Sequence, residues 1–217
     1  MAGSGAGGGP DEVVPPASQA PGFVAGAARR RAVAGCQDRG MIEIRTAHTA
    51  DLGVVTLESA RALFEEVFEE DMSEHDWEHA LGGVHALAWE GAELIGHASV
   101  IQRRLLHGGR ALRTGYIEGV CVRANRRGRG HGAALMEALE RVVRGAYDLG
   151  ALGATAAAAK FYAARGWERW RGPTSALTPK GIIRTEEDDG SIYVLPAAVP
   201  LDLSGELTCD WRDGDVW

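Results

Sequence analysis

The chain has 217 residues, of which 45% are hydrophobic and 24% are charged, a composition typical of a soluble globular protein. Its 30 acidic and 23 basic residues give a formal net charge of −7, which argues against nucleic acid or anionic membranes as partners and is compatible with a cationic ligand. No stretch approaches the roughly 18 apolar residues of a membrane helix, and the three cysteines share no metal-ligand spacing, so we expect reduced thiols in the cytoplasm.

Residues 1–40 differ in composition from the rest of the chain. They are rich in Gly, Ala, Pro and Arg and cannot bury enough apolar surface to offset the entropy of ordering, so we expect a disordered extension. The segment AARRRAVAGC looks like a lipoprotein leader, but it lacks the apolar stretch of roughly 7–15 residues that export requires. Folded-looking sequence begins at Met41, so starts of the natural protein at Met1 and at Met41 stay open alternatives, and residues 41–217 are predicted to form a single domain.

Hydrophobic periodicity predicts the elements of that domain. In chain order they are a strand (42–47), an amphipathic helix (57–70), a hairpin (84–106) turning at 90–93, a strand (111–123), a helix (132–150), a helix (155–166) capped by Gly166, and a strand (191–201). Strands and helices alternate after residue 111, but an antiparallel hairpin precedes them. This order predicts an α+β fold with a mixed sheet rather than a doubly wound one.

A glycine-rich loop lies between a predicted strand and helix, in the sequence VCVRANRRGRGHGAALMEALE (120–140). Glycines let backbone N–H groups point into one cavity, and the N-terminus of the helix adds further unpaired N–H groups. Arginine side chains supply positive charge for a phosphate. The spacing fits neither a Walker P-loop nor a Rossmann fingerprint. The loop therefore predicts a pyrophosphate site, with a solvated basic turn as the alternative.

Arg127, Gly130 and Gly132 fit the pattern R/Q-x-x-G-x-G/A, which resembles the acetyl-CoA loop of the GNAT N-acetyltransferases. Longer segments, among them YAARGWERWRGPTSAL (162–177) and CDWRDGDVW (209–217), resemble the aminoglycoside 2′-N-acetyltransferases of actinobacteria, and the likeness covers residues 41–217. It implies a GNAT fold, with a mostly antiparallel sheet splayed at a bulge. It also implies direct acetyl transfer from acetyl-CoA to the 2′-amino group in a ternary complex, and a capacity for aminoglycoside resistance.

The resemblance implies roles for individual residues. Glu118 is expected to act through a water as the base, or alternatively as a carboxylate that orients the amine, and Tyr162 is expected to act as the acid that protonates the CoA thiolate. The backbone N–H of Val120 is expected to stabilise the oxyanion, beside a bulge that suits Gly119. The residues expected to bind acetyl-CoA are Val120, Cys121, Val122, Arg127, Gly128, Arg129, Gly130, His131 and Gly132. Cys121 has no neighbouring His in sequence to make it a nucleophile.

The same resemblance implies a set of acids around the cationic substrate. These candidates are Asp71, Asp76, Glu118, Glu187, Asp188, Asp215 and the α-carboxylate of Trp217, together with Gly119 and Gly153. Asp71 and Asp76 could equally be capping or solvated acids. Position 153 is commonly serine in the family, so glycine there predicts a different substrate preference. HDWEH (75–79) lacks the zincin order and a third ligand, so no metal is expected.

Three further interpretations of the sequence remain open or are disfavoured. A GNAT enzyme acting on another polyamine-like or amino-sugar metabolite would need the same acids. A non-catalytic acyl-CoA-binding module would not need Glu118 and Tyr162. A nucleic-acid binder is disfavoured because the glycine-rich loop is the only dense basic stretch after residue 40. A homodimer is expected from the family likeness.

Overall fold

The computed structural model describes residues 41–69 and 73–217, in which four α-helices pack on a ten-stranded mixed sheet. The helices are α1 (Val54–Phe68), α2 (Glu74–His79), α3 (His131–Ala146) and α4 (Ala159–Ala163). The strands are β1 (Ile42–His48), β2 (Val84–Glu90), β3 (Glu93–His107), β4 (Arg110–Val122), β5 (Leu149–Gly153), β6 (Glu168–Arg169), β7 (Thr174–Thr178), β8 (Gly181–Arg184), β9 (Ile192–Pro196) and β10 (Leu207–Asp210). The predicted extension, residues 1–40, and the candidate Asp71 lie outside the described residues.

The strand order is β6-β9-β5-β4-β3-β10-β7-β8, with β1 and β2 attached beside β3. Only the β4–β5 and β7–β10 pairs are parallel among the described strands, and the others are antiparallel. The predicted α+β class with a mixed sheet is therefore confirmed.

β3 is the longest strand and pairs with three others. On one edge of β3, β4 pairs antiparallel with it from Gly96 to His107. On its other edge β3 pairs first with β2, over 93–100, and then with β10, at Leu105 and Leu106. β10 in turn pairs with β7, so the late strands of the chain join the sheet beside its early hairpin.

The helices cover opposite faces of the sheet because side chains alternate along each strand. Ala86 and Ala88 of β2 lie in one core cluster with Leu135 and Leu139 of α3. Leu87, the residue between those alanines, belongs instead to a cluster with α1 and α2. No helix within 41–69 and 73–217 is long and apolar enough to cross a membrane.

Both predicted late helices are longer than the observed ones. The helix expected over 132–150 ends at Ala146, because the chain then joins the sheet as β5, where Gly150 pairs with Leu195 of β9. Gly150 also packs closely on Trp167, since an added Cβ would lie 3.0 Å from the indole ring. The helix expected over 155–166 spans only Ala159–Ala163. Gly166 does follow its end as predicted, at φ 87°, in the paired hydrogen bonds of a Schellman motif.

Candidate active site

β4 and β5 diverge near the middle of the sheet. They pair in parallel only from Thr114 to Tyr116 on β4, so the backbone of 117–122 has no strand partner on the β5 side. On the β3 side the register shifts between His97 and Ser99. Two residues of β4, Gly119 and Val120, therefore lie opposite one residue of β3, which is the expected bulge.

Gly119 is required at this bulge for two physical reasons. Its φ of 59° lies in the left-handed region that residues with a side chain adopt only at a cost. A Cβ at this position would also lie 2.4 Å from Cε2 of Phe64 on α1. The absence of a side chain therefore allows α1 to close over the diverging strands.

A cavity of about 450 Å³ opens beside the bulge, within the range of small-molecule sites. Its walls come from α1, α2, β4, β5, α4 and the terminal segment, which we define as residues 211–217. Glu118, Gly119, Val120, Gly153 and Tyr162 all line it, so the structure brings together the predicted catalytic residues. Asp76, Asp188, Asp215 and Trp217 line it as well.

Glu118 forms an ion pair with Arg212 of the terminal segment, with Nη1 of Arg212 donating to Oε1 of Glu118. The side chains are only 14% and 13% exposed, respectively. Burial raises the pKa of Glu118 above its ordinary value, whereas the Arg212 charge and hydrogen bond lower it. The sign of the net shift is upward, which suits a group that has to accept a proton.

The terminal segment is fixed against the fold by side chains of several elements. The Trp217 ring is buried and its Nε1 donates to Oγ1 of Thr185 at 2.8 Å. Arg103 of β3 donates to the carbonyl of Val216 at 2.7 Å and to the carboxylate of Asp210 at 2.8 Å. These contacts hold the terminal segment in place as one wall of the cavity.

The two tyrosines of the cavity have raised pKa values. Burial raises the pKa of Tyr162, which is 7% exposed on α4, to about 12. Burial likewise raises the pKa of Tyr116 far above its usual range, and its hydroxyl has no hydrogen-bond partner among the described residues. Both hydroxyls therefore remain protonated at neutral pH and can donate.

The predicted substrate acids differ in their surroundings. Asp188 is partly buried, and burial together with Asp215 and Glu187 raises its pKa to about 6. Asp76 accepts hydrogen bonds from the N–H and hydroxyl of Ser73, both at 2.7 Å, so it caps α2 while lining the cavity. Glu187 is exposed and does not line this cavity. Its substrate role and that of Asp76 stay predictions.

Gly153 lies at the end of β5, where a side chain would face the cavity. A Cβ there would be 3.7 Å from Oη of Tyr116 and 4.0 Å from the carboxyl carbon of Trp217, which are ordinary contact distances. A serine would fit this position, so glycine enlarges the cavity without being sterically required.

The glycine-rich loop borders a second cavity of about 430 Å³, whose wall includes Val122, Arg127, Gly128, Gly130, His131 and Gly132. Gly128 and Gly130 have φ values of 74° and 86°, and α3 begins directly after them. The first N–H groups of α3 have no partner within the helix, so the loop suits a phosphate. Arg129, predicted with these residues, does not line the cavity.

Cys121 and Cys209 are buried and reduced. Burial raises the pKa of the Cys121 thiol to about 12 and that of Cys209 to about 11. Neither thiol forms appreciable thiolate at neutral pH, and the thiolate is the nucleophilic form. Cys36 lies outside the described residues. The Cys121 side chain packs with α1 and α2 instead of lining either cavity, so any contact it makes with acetyl-CoA is through its backbone.

Sequence reasoning did not identify Arg212, Arg103 and Tyr116 as residues of the site. Arg212 and Tyr116 line the first cavity, and the guanidinium of Arg103 lies 4.7 Å from the centre of the Tyr116 ring. One signal was available, because Arg212 is the single basic residue in the acidic end CDWRDGDVW.

Known proteins resemble this chain in both sequence and structure. Residues 49–170 match the acetyltransferase (GNAT) domain family. The aminoglycoside 2′-N-acetyltransferase of Mycolicibacterium fortuitum is 54% identical over 177 residues, which cover 80% of this chain and 91% of that protein. The crystal structure of Escherichia coli ElaA is similar with a TM-score of 0.53 at 26% identity, over 72% of this chain and 99% of its own. A GNAT family acetyltransferase from Brucella melitensis, in complex with acetyl-CoA, shares the fold with a TM-score of 0.53 at 16% identity, over 78% of this chain and 96% of its own.

Proposed function

Because this chain belongs to the GNAT acetyltransferases and, within them, to the aminoglycoside 2′-N-acetyltransferase family, we propose that it acetylates the 2′-amino group of aminoglycosides with acetyl-CoA. It is an N-acetyltransferase. The observation that carries the choice of substrate is the acidic cavity beside the bulge of β4, where Glu118, Asp188 and Asp215 meet. Several carboxylates in one cavity favour a molecule with several ammonium groups.

In the proposed reaction Glu118 accepts a proton from the 2′-ammonium group, directly or through a water, so that the neutral amine attacks the thioester carbonyl. The N–H of Val120 stabilises the oxyanion that forms on that carbonyl. The carbon–sulfur bond then breaks, and Tyr162 donates its proton to the departing thiolate of CoA. The newly acetylated nitrogen gives up its extra proton, which restores the proton of Tyr162 through a water, so that the products are the amide and the CoA thiol. The residues thus supply a base, an oxyanion donor and an acid around one amine.

The glycine-rich loop is the proposed site for the pyrophosphate of acetyl-CoA. Its positive-φ glycines and the N-terminus of α3 provide backbone donors. Arg126 lines the same cavity as this loop, and its guanidinium is paired with Glu90 at 2.6 Å. Arg127 is another neighbouring charge, and its Nε donates to the carbonyl of Val122 at 2.9 Å.

Transfer is proposed to be direct, in a ternary complex. The raised pKa values of Cys121 and Cys209 argue against an acetyl-cysteine intermediate. Resistance would follow if the host's growth is limited by an aminoglycoside that the enzyme modifies. The cytoplasmic location and the homodimer stay predictions.

The regiochemistry tests the proposed function. Acetyl-CoA turnover is measured with tobramycin or gentamicin, which carry a 2′-amine, and with an aminoglycoside that carries a hydroxyl at the 2′ position. We expect turnover with the first group alone and acetylation at N2′ in the NMR spectrum of the product. Equal turnover with both groups would contradict the 2′ assignment, and turnover with only a simpler polyamine would favour the metabolite alternative.

Tyr162→Phe should reduce kcat roughly 100-fold, the lower end for loss of a general acid, while the Kd for acetyl-CoA changes little. Because burial raises the pKa of Tyr162 to about 12, loss of its proton should not limit the wild type between about pH 6 and 9. The control is Tyr193→Phe, since Tyr193 packs beside Tyr162 but does not line the first cavity. Equal losses in the two variants would reject the acid role.

A further inference from the structure

Arg212 is held by three acceptors at the edge of the active-site cavity. Its Nε donates to the carbonyl of Asp215 at 2.7 Å and its Nη2 to a main-chain oxygen of Trp217 at 2.8 Å. Its Nη1 donates to Oε1 of Glu118. The guanidinium also lies over the Tyr116 ring, 5.5 Å from its centre. One planar group thus links the terminal segment to β4.

The pairing leaves the second carboxylate oxygen of Glu118 uncommitted. Within the described residues, Oε2 accepts no hydrogen bond, whereas Oε1 is engaged by Arg212. Glu118 lines the cavity, so a water or an amine can reach the free oxygen. A carboxylate with one oxygen fixed has fewer orientations, and the geometry of proton transfer depends on that orientation.

We propose that Arg212 is a positioning residue for the proposed acetyl transfer: it fixes one oxygen of Glu118 against the terminal segment and leaves the other oxygen to receive the proton from the amine. In this role Arg212 acts through Glu118 and not directly on the amine or the thioester. The expected change in kcat rests on the proposed function. The electrostatic effect of Arg212 on Glu118 does not, because it is present in the protein without substrate.

The opposite role would make Arg212 an internal competitor that occupies the place of a substrate ammonium. The geometry is against it, because two of the three hydrogen bonds of Arg212 go to its own terminal segment and do not involve Glu118. A guanidinium anchored in this way stays in place when a cation approaches Oε2. Removal of Arg212 would lower the KM for the amine in the competitor role, whereas it would lower kcat in the positioning role.

Several other charged or titratable groups face Glu118, and their effects on its titration must be distinguished from the effect of Arg212. They are Arg103 on β3, Tyr116 on β4 and Asp215 in the terminal segment, with Asp76 on α2, Tyr162 on α4 and Asp188 lining the same cavity. Among the neighbouring charges, Arg212 lowers the pKa of Glu118 most, and Arg103 lowers it further. Asp188 is the group whose own titration, near pH 6, is most easily confused with that of Glu118.

The first experiment follows the Glu carboxyl carbons of the full chain by NMR as a function of pH, without substrate. The signal of Glu118 is assigned by its disappearance in Glu118→Gln, and Asp188→Asn shows which part of its titration is coupled to Asp188. In Arg212→Gln the titration midpoint of Glu118 should rise by about 1–3 pH units, because a nearby positive charge is lost. An unchanged midpoint would overturn the electrostatic part of the proposal.

The second experiment separates charge from geometry. Arg212→Lys retains the charge but loses the planar fork, so the midpoint should shift less than in Arg212→Gln while kcat still falls. In Arg212→Gln the loss of kcat that comes from protonation of Glu118 should be about five- to tenfold at a pH one unit below the new midpoint, and at higher pH the loss should shrink to the part that comes from misorientation. A loss of equal size at every pH, together with an unshifted Glu118 midpoint, would indicate a merely structural role, and a lower KM for the amine would indicate the competitor.

Arg45→Gln is the matched control, since Arg45 is an exposed arginine on β1 paired with Glu43 at 2.6 Å. It should leave both the Glu118 midpoint and kcat unchanged. If no aminoglycoside is acetylated by the wild type, the proposed function fails, yet the NMR titration still tests the link between Arg212 and Glu118. The two failures are therefore distinguishable.

Discussion

Glu118→Gln is expected to reduce kcat/KM for the amine by about 100-fold or more, within the usual range for loss of a general base. Glutamine has nearly the same shape but cannot accept the proton. The low-pH limb of the kcat profile that reports this group should also disappear. Release of the CoA thiol, followed with a thiol reagent across the pH range, measures both effects.

The control for this variant is Glu137→Gln, because Glu137 is an exposed glutamate on α3, away from the first cavity. Glu118→Gln should retain its affinity for acetyl-CoA, which is measured by calorimetry. Retention of full activity by Glu118→Gln would remove Glu118 as the base. A loss of acetyl-CoA binding parallel to the loss of rate would point to a misfolded site instead.

Gly119→Ala is expected to reduce kcat/KM by about 100-fold, because a shift of the bulge by about 1 Å misplaces the reacting groups. The added Cβ would lie 2.4 Å from Phe64, so either α1 or the bulge has to move. The left-handed backbone and the overpacking together should lower stability by about 2–4 kcal/mol. Steady-state kinetics with acetyl-CoA varied, and thermal unfolding, give the two values.

Gly108→Ala isolates the backbone contribution. Gly108 has a φ of 56°, close to the 59° of Gly119, but no atom lies within 4 Å of its added Cβ. It should lose about 1 kcal/mol of stability and no activity. Adding Phe64→Leu to Gly119→Ala should recover part of the lost kcat/KM. Equal behaviour of the two alanine variants would show that contact with α1 is unimportant at the bulge.

Features with a local cause were predicted well from the sequence. The glycine at the bulge, the loop before α3 and the cap at Gly166 each depend on backbone conformations that glycine favours, and the structure has them there. The family, the GNAT fold and the N-acetyltransferase activity are confirmed by the comparisons. These rest on contiguous segments of the sequence, from the short loop motif to longer stretches such as 162–177 and 209–217.

Features that depend on distant partners were missed. β7, β8 and β10 have four or five residues each and were not predicted as strands. The end of α3 is set by the pairing of β5 with β4 and β9, which no local pattern encodes. Arg212 could be seen as a cation in an acidic segment, but its pairing with Glu118, 94 positions earlier, is a tertiary contact.

The position of β10 between β3 and β7 has a consequence for biosynthesis. In the hydrogen-bonded order of the sheet, β7 and β8 reach β3 only through β10, whose residues Leu207–Asp210 come after every other strand in the sequence. While this segment is still inside the ribosome, the edges of β3 and β7 that pair with β10 are unpaired. Unpaired strand edges favour aggregation. The nascent chain at that stage also lacks Arg212 and the wall of the cavity. Catalytic competence and protection from aggregation therefore depend on the same late segment.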